Sequence, residues 1–190
     1  MLPVLLLPVG IFGFLSGAAL STSRKNLSML PPPKTNPFVG VPTTAWSRFV
    51  TIMAVSPREN VTPRRRFGMF GLDARRLSDV GFMASPRKVS IGAEGGVWSG
   101  EWVAPLTEKK FLDSTPAQYE AFGRSMRLLV PRAAPHVGKM IGGKKATLSG
   151  LLAAGHLAGT AGLESWAKDE AVRQKFGATT KNFERANGIF

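Results

Sequence analysis

The chain has 190 residues, 44% of them hydrophobic, which suits one packed domain with a tail or anchor and argues against wholesale disorder. It has no cysteine and two histidines, His136 and His156, so disulfides, thiolate metal sites and cysteine nucleophiles are excluded, and no metal centre or cofactor is expected. Twenty-five Lys and Arg against 12 Asp and Glu give a net charge of +13, which draws a protein to polyanions: nucleic acid, anionic lipid or the acidic polymers of a bacterial wall.

In chain order, Met1 to Leu20 carries no charge and is followed by Arg24 and Lys25. Twenty apolar residues can span about 30 Å of hydrocarbon as a helix. A cleaved signal peptide, an uncleaved anchor and an apolar arm buried against other subunits all fit this pattern, and the expectation for residues 1–23 is an anchor or buried arm. Residues 24–42, with "KNLSMLPPPKTNPFVGVP", read as a Pro-rich extended linker. Residues 43–190 then form the domain.

From Thr43, Trp46, Phe49, Val50 and Met53 recur at helical spacing, and Pro57 ends that helix. A short helix is expected over about Leu72 to Val80, stopped by Gly81. Ser90 to Pro105, with Trp98 and Trp102, reads as an irregular loop or short hairpin. Thr115 as cap, Pro116 at the first helical position and Gln118 closing a capping box predict a helix to Pro131, with Tyr119, Phe122, Met126 and Leu129 inward. After the turn "GKMIGGKK", Thr147 caps a helix with Leu148, Leu151 and Leu152 inward, and "AGHLAGTAG" implies close approach by another segment. A last helix is expected over about Leu163 to Lys175, followed by a closing tail. The pattern is mainly α, with no large sheet.

Three constellations carry candidate chemistry. Glu59 stands just past the first helix and before "RRRFGMFGL"; a partly desolvated carboxyl there could act as a general acid, or it could pair with Arg58 or Arg64 to Arg66 at the surface. Trp98 and Trp102 could stack on sugar faces or pin the glycine-rich loop as a local core. His156 could line a site or serve as a packing histidine.

The segments "GMFGLDARRLSDVGF", "VWSGEWV", "KKFLDSTPAQYEAF" and "LSGLLAAGHLAGTAGLESW", in that order, resemble a family of phage-associated peptidoglycan-cleaving domains with a lysozyme-like, lytic-transglycosylase-like fold. The similarity runs from about Ala45 to the C-terminus. It implies a lysozyme-like helical domain acting on peptidoglycan, in a virion or at the bacterial envelope, that opens the wall as a phage genome enters. It also implies Glu59 as the catalytic acid, with Met69, Phe70, Trp98, Trp102 and His156 lining the substrate site, and no need for a metal or second carboxylate. Residues 1–20 would engage a membrane or other virion subunits. Where the family usually has Gln, this chain has Gly68, Met69, Phe70 and Gly71. That departure leaves as an alternative a catalytically inactive structural virion protein on the same fold, and the net charge leaves a basic nucleic-acid-associated protein.

Overall fold

The computed structural model describes residues 36–54, 66–90 and 96–190. The apolar segment 1–23, most of the linker and Glu59 lie outside the described residues. The described residues are mainly helical, with seven α-helices and three two-stranded antiparallel sheets. Residues 36–42, from the end of the expected linker, belong to this fold: Phe38 meets Trp46 edge-on at 5.4 Å, and Val41 packs on the core.

Helix α1 (Thr43–Ala54) buries Trp46, Phe49, Val50 and Met53, the stripe that helical spacing predicts. Strands β1 (Arg66–Phe67) and β2 (Leu72–Asp73) pair across a tight turn, so Leu72 and Asp73 leave the helix expected there. Helix α2 is consequently short (Ala74–Asp79), with the Asp73 side chain accepting from the Arg76 N–H as N-cap. Its end is the expected one: Phe82 N–H donates to the Leu77 carbonyl and Gly81 N–H to that of Ser78, a Schellman closure. Strands β3 (Met83–Ser90) and β4 (Gly96–Trp102) form a hairpin, of which only β4 falls within the stretch from Ser90 to Pro105 where a loop or short hairpin is expected; its partner strand ends where that stretch begins.

Helix α3 (Glu108–Asp113) leads into α4 (Thr115–Ala133). The cap of α4 is Ser114, one residue before the expected Thr115, and its hydroxyl accepts from Ala117 N–H. Gln118 closes no capping box because its side chain is drawn into the interior. There Nε2 donates to the carbonyls of Phe111 (3.2 Å) and Leu112 (2.8 Å), and Oε1 accepts from Met69 N–H (2.8 Å). Helix α4 also continues through Pro131, because the carbonyl deprived of a donor belongs to exposed Arg127, where water can serve it, while Ala133 beyond is fully buried. A 3₁₀ turn (Ala134–His136) and a hairpin of β5 (Met140–Ile141) and β6 (Lys144–Lys145) around Gly142 and Gly143 follow.

Helix α5 (Leu148–Lys168), capped by Thr147, packs against α4 and against α7 (Gly177–Ala186), with α6 (Glu170–Lys175) between α5 and α7 in sequence. Leu151 to Ala154 are fully buried, as expected of a central helix. The close approach implied by the small residues occurs at Gly155, where a Cβ would stand 2.9 Å from a Leu129 methyl. The single helix expected over Leu163 to Lys175 is divided at Asp169, which caps α6, and the closing tail is itself helical as α7.

Around α5 the core is aromatic. Phe122 of α4 stacks on Phe70 at 4.1 Å and on Trp46 and Phe49 of α1 at 5.9 and 6.1 Å. The β1–β2 turn is thus pinned twice, by the Phe70 ring and by the Gln118 hydrogen bond to Met69. Replacing Gln118 with Leu removes the donor from two carbonyls and the acceptor from one amide in a buried place. Unpaired buried groups cost roughly 1–3 kcal/mol, so urea denaturation of Gln118→Leu should show a loss on that scale. An unchanged midpoint would mean that water or local rearrangement replaces the side chain.

Candidate functional site

Three segments distant in sequence enclose one cleft of about 420 Å³: β2 with α2, the β3–β4 hairpin, and the middle of α5. Its charged lining comprises Arg66, Arg75, Arg76 and Lys88 against Asp73 and Asp79, a net cationic wall. Lys88 and Trp98 face each other across the hairpin, and the Arg75 guanidinium carbon lies 5.1 Å from the Trp98 ring centroid. Such an exposed cation–π pair contributes about 0.5–1 kcal/mol and holds the indole at the cleft rim.

Arg76 lies deeper. Its position in the first turn of α2, fixed by the Asp73 cap, directs it toward α5. Burial pushes its guanidinium below its ordinary value, while the carboxylates of Asp79 and then Asp73 oppose the shift. One terminal nitrogen, Nη1, is buried without a hydrogen-bond partner.

His156 forms the opposite wall. Its Nε2 lies 2.8 Å from the Phe70 carbonyl, which can only accept, so Nε2 carries the proton. The ring meets Phe122 edge-on at 5.5 Å. It keeps a little surface at the cleft but is otherwise enclosed by protein, and burial, followed by the nearby Arg76 charge, pushes its pKa down to about 4. The imidazole is therefore neutral at neutral pH and a weak base there, with its one proton engaged by backbone.

This histidine couples stability to pH. Because its folded pKa lies below the ordinary 6.5, the unfolded chain binds the proton more readily. Stability is complete above about pH 6.5 and falls as pH drops toward 4, by roughly 2 kcal/mol at pH 4.5 for a shift of this size. Denaturation of His156→Gln, whose amide can still donate to the Phe70 carbonyl, should lose that increment between pH 7 and 4.5. An unchanged pH profile in the variant would assign the dependence to other groups.

Beyond His156, helix α5 breaks at Gly159, whose φ of 75° and ψ of 177° suit glycine and not an L side chain, and the helix resumes at Thr160. Residues Leu157 to Ala161 line the cleft.

Of the residues singled out from sequence, Trp98 and His156 are on the cleft walls. Phe70 and Met69 do not line it. Phe70 is buried on Phe122 and contributes its carbonyl to His156, while the Met69 amide is held by Gln118. Trp102 is also absent from the lining and packs on Phe67 and Phe111 at 5.4 and 5.1 Å, the local-core reading. Glu59 lies outside the described residues, and Glu101 is exposed on β4. Sequence reasoning did not single out Arg76 or Gly159; the run "DARRLSD" and the small residues after His156 were the signals available. Comparison of the chain with family profiles, curated proteins and solved structures finds no match to any of them.

Proposed function

We propose that the chain is a peptidoglycan-directed, lytic-transglycosylase-like domain whose substrate cleft is the one lined by Trp98 and His156. The observation that carries the reading is convergence: three of the segments bearing the resemblance, around residues 71–79, 96–98 and 156–161, meet at one cleft. An aromatic rim and cationic walls suit a glycan strand with carboxylate-bearing peptides. A virion component acting on the wall as a genome enters, attached through residues 1–20 to a membrane or to neighbouring subunits, is the setting that fits.

In this reading Glu59 gives its proton to the glycosidic oxygen as the C1–O bond breaks. The sugar's own 6-hydroxyl then closes on C1, and the carboxylate takes the hydroxyl proton. Neutral His156 orients the cleft wall through the Phe70 carbonyl and moves no proton. One observation favours a non-catalytic structural protein instead: among the described cleft residues, Asp73 is engaged as a helix cap and His156 by backbone, which leaves exposed Asp79, beside the Arg76 charge, as the one carboxylate there not so engaged. The deciding experiment is turbidity loss of purified sacculi with mass spectrometry of the released fragments. Anhydro-sugar ends support the transglycosylase, and hydrolysed ends a lysozyme. Intact sacculi at every salt concentration tested would leave the structural reading.

A further inference from the structure

The floor of the cleft holds a cationic donor with nothing to donate to. Arg76 Nη1 is buried and has no hydrogen-bond partner, in a class of groups that folded proteins almost always pair. Its Nη2 lies 3.8 Å from where a Cβ on Gly159 would stand, so the absent side chain leaves room in front of the guanidinium. Next to that space, Thr160 and Ala161 begin the resumed stretch of α5 that runs to Lys168, and they line the cleft. The start of a helix presents the positive end of its dipole. Arg66, Arg75 and Lys88 add positive charge at the walls, against the carboxylates of Asp73 and Asp79.

We propose that Arg76, the space before Gly159 and the helix start at Thr160 and Ala161 form an oxyanion-binding subsite for a carboxylate or phosphate group of the ligand. A guanidinium matches both groups through paired N–H donors; Nη2 is the nitrogen that faces the space before Gly159, and Nη1 beside it has no partner within the protein. The inference needs only the cleft and no turnover, so it stands or falls separately from glycan cleavage.

The test is a nuclear magnetic resonance titration of the full ¹⁵N-labelled chain in a non-ionic detergent, with sodium phosphate and sodium acetate in parallel and chloride holding ionic strength constant. Saturable shifts of the Gly159, Thr160 and Ala161 amides are expected. Tighter saturation by acetate identifies a carboxylate ligand, and by phosphate a phosphate ester. Arg76→Gln should weaken binding about tenfold or more, the scale of a lost charge-assisted pair. Lys88→Gln, at the exposed wall, should weaken it about twofold. Should Arg76→Gln fail to fold by circular dichroism, Arg76→Lys takes its place, with a loss of about threefold expected because a point charge lacks the planar fork. Silent amides in the native chain, equal losses in the Arg76 and Lys88 variants, or full affinity in Arg76→Lys would each overturn the subsite.

Discussion

Glu59→Gln should reduce clearing of purified sacculi by about a hundredfold or more, the scale of losing a positioned general acid. The substitution keeps the size and polarity of the side chain and removes only the transferable proton, so fold and substrate affinity should persist. Among the described cleft residues, two groups that could donate are otherwise engaged. His156, with a pKa near 4 and its Nε2 proton donated to the Phe70 carbonyl, is poorly suited to donate at neutral pH, and Asp73 is committed to capping α2, which leaves Asp79 as the other carboxylate of the cleft. Glu101→Gln and Glu164→Gln should be much milder. Glu101 is absent from the cleft lining, and Glu164 bonds to Lys168 on the exposed part of α5. Full clearing by the Glu59 variant would move the acid elsewhere, with Asp79, the exposed carboxylate of the cleft, next to be examined.

Phe122→Ala should be among the most destabilising single changes in the domain. Its ring is fully buried and touches rings from α1, the β1–β2 turn and α5, so truncation opens a cavity bounded by side chains anchored in separate elements. Such anchors cannot all collapse inward, and Phe→Ala in well-packed cores costs about 3–5 kcal/mol. Against a typical total of about 5–15 kcal/mol, that is a third or more of the stability of the domain. Urea denaturation measures it directly, and Phe122→Leu, which refills part of the space, should recover a substantial part. A loss below about 1 kcal/mol would show that the stack rearranges freely. The effect should also reach the cleft, because the Phe70 carbonyl that holds His156 belongs to a residue stacked on Phe122.

Local pattern was enough to identify elements whose signal lies within a few residues. The α1 stripe follows from apolar spacing, the stop of α2 from Gly81, the Thr147 cap from a hydroxyl before an apolar run, and the burial of Leu151 and Leu152 from a helix apolar over most of its surface. Other features were decided by partners remote in sequence. Leu72 and Asp73 left their helix because Arg66 and Phe67 pair with them. Gln118 turned inward because Phe111, Leu112 and Met69 offer it three hydrogen bonds there.

Trp98 and Trp102 are four apart on one strand, so alternation places them on the same face and cannot separate their roles. Their place along the hairpin does: Trp102 pairs with Met83 at its base, beside Phe67 and Phe111, whereas Trp98 pairs with Lys88 further out, at the cleft. The cleft itself joins residues near 66–79, 88–98 and 156–161. Periodicity records which side of an element is apolar, but not which distant element covers it. The amino-acid sequence alone therefore determined a basic, mainly helical domain with a buried α5, while the tertiary structure decided that Arg76, Trp98 and His156 share one cleft.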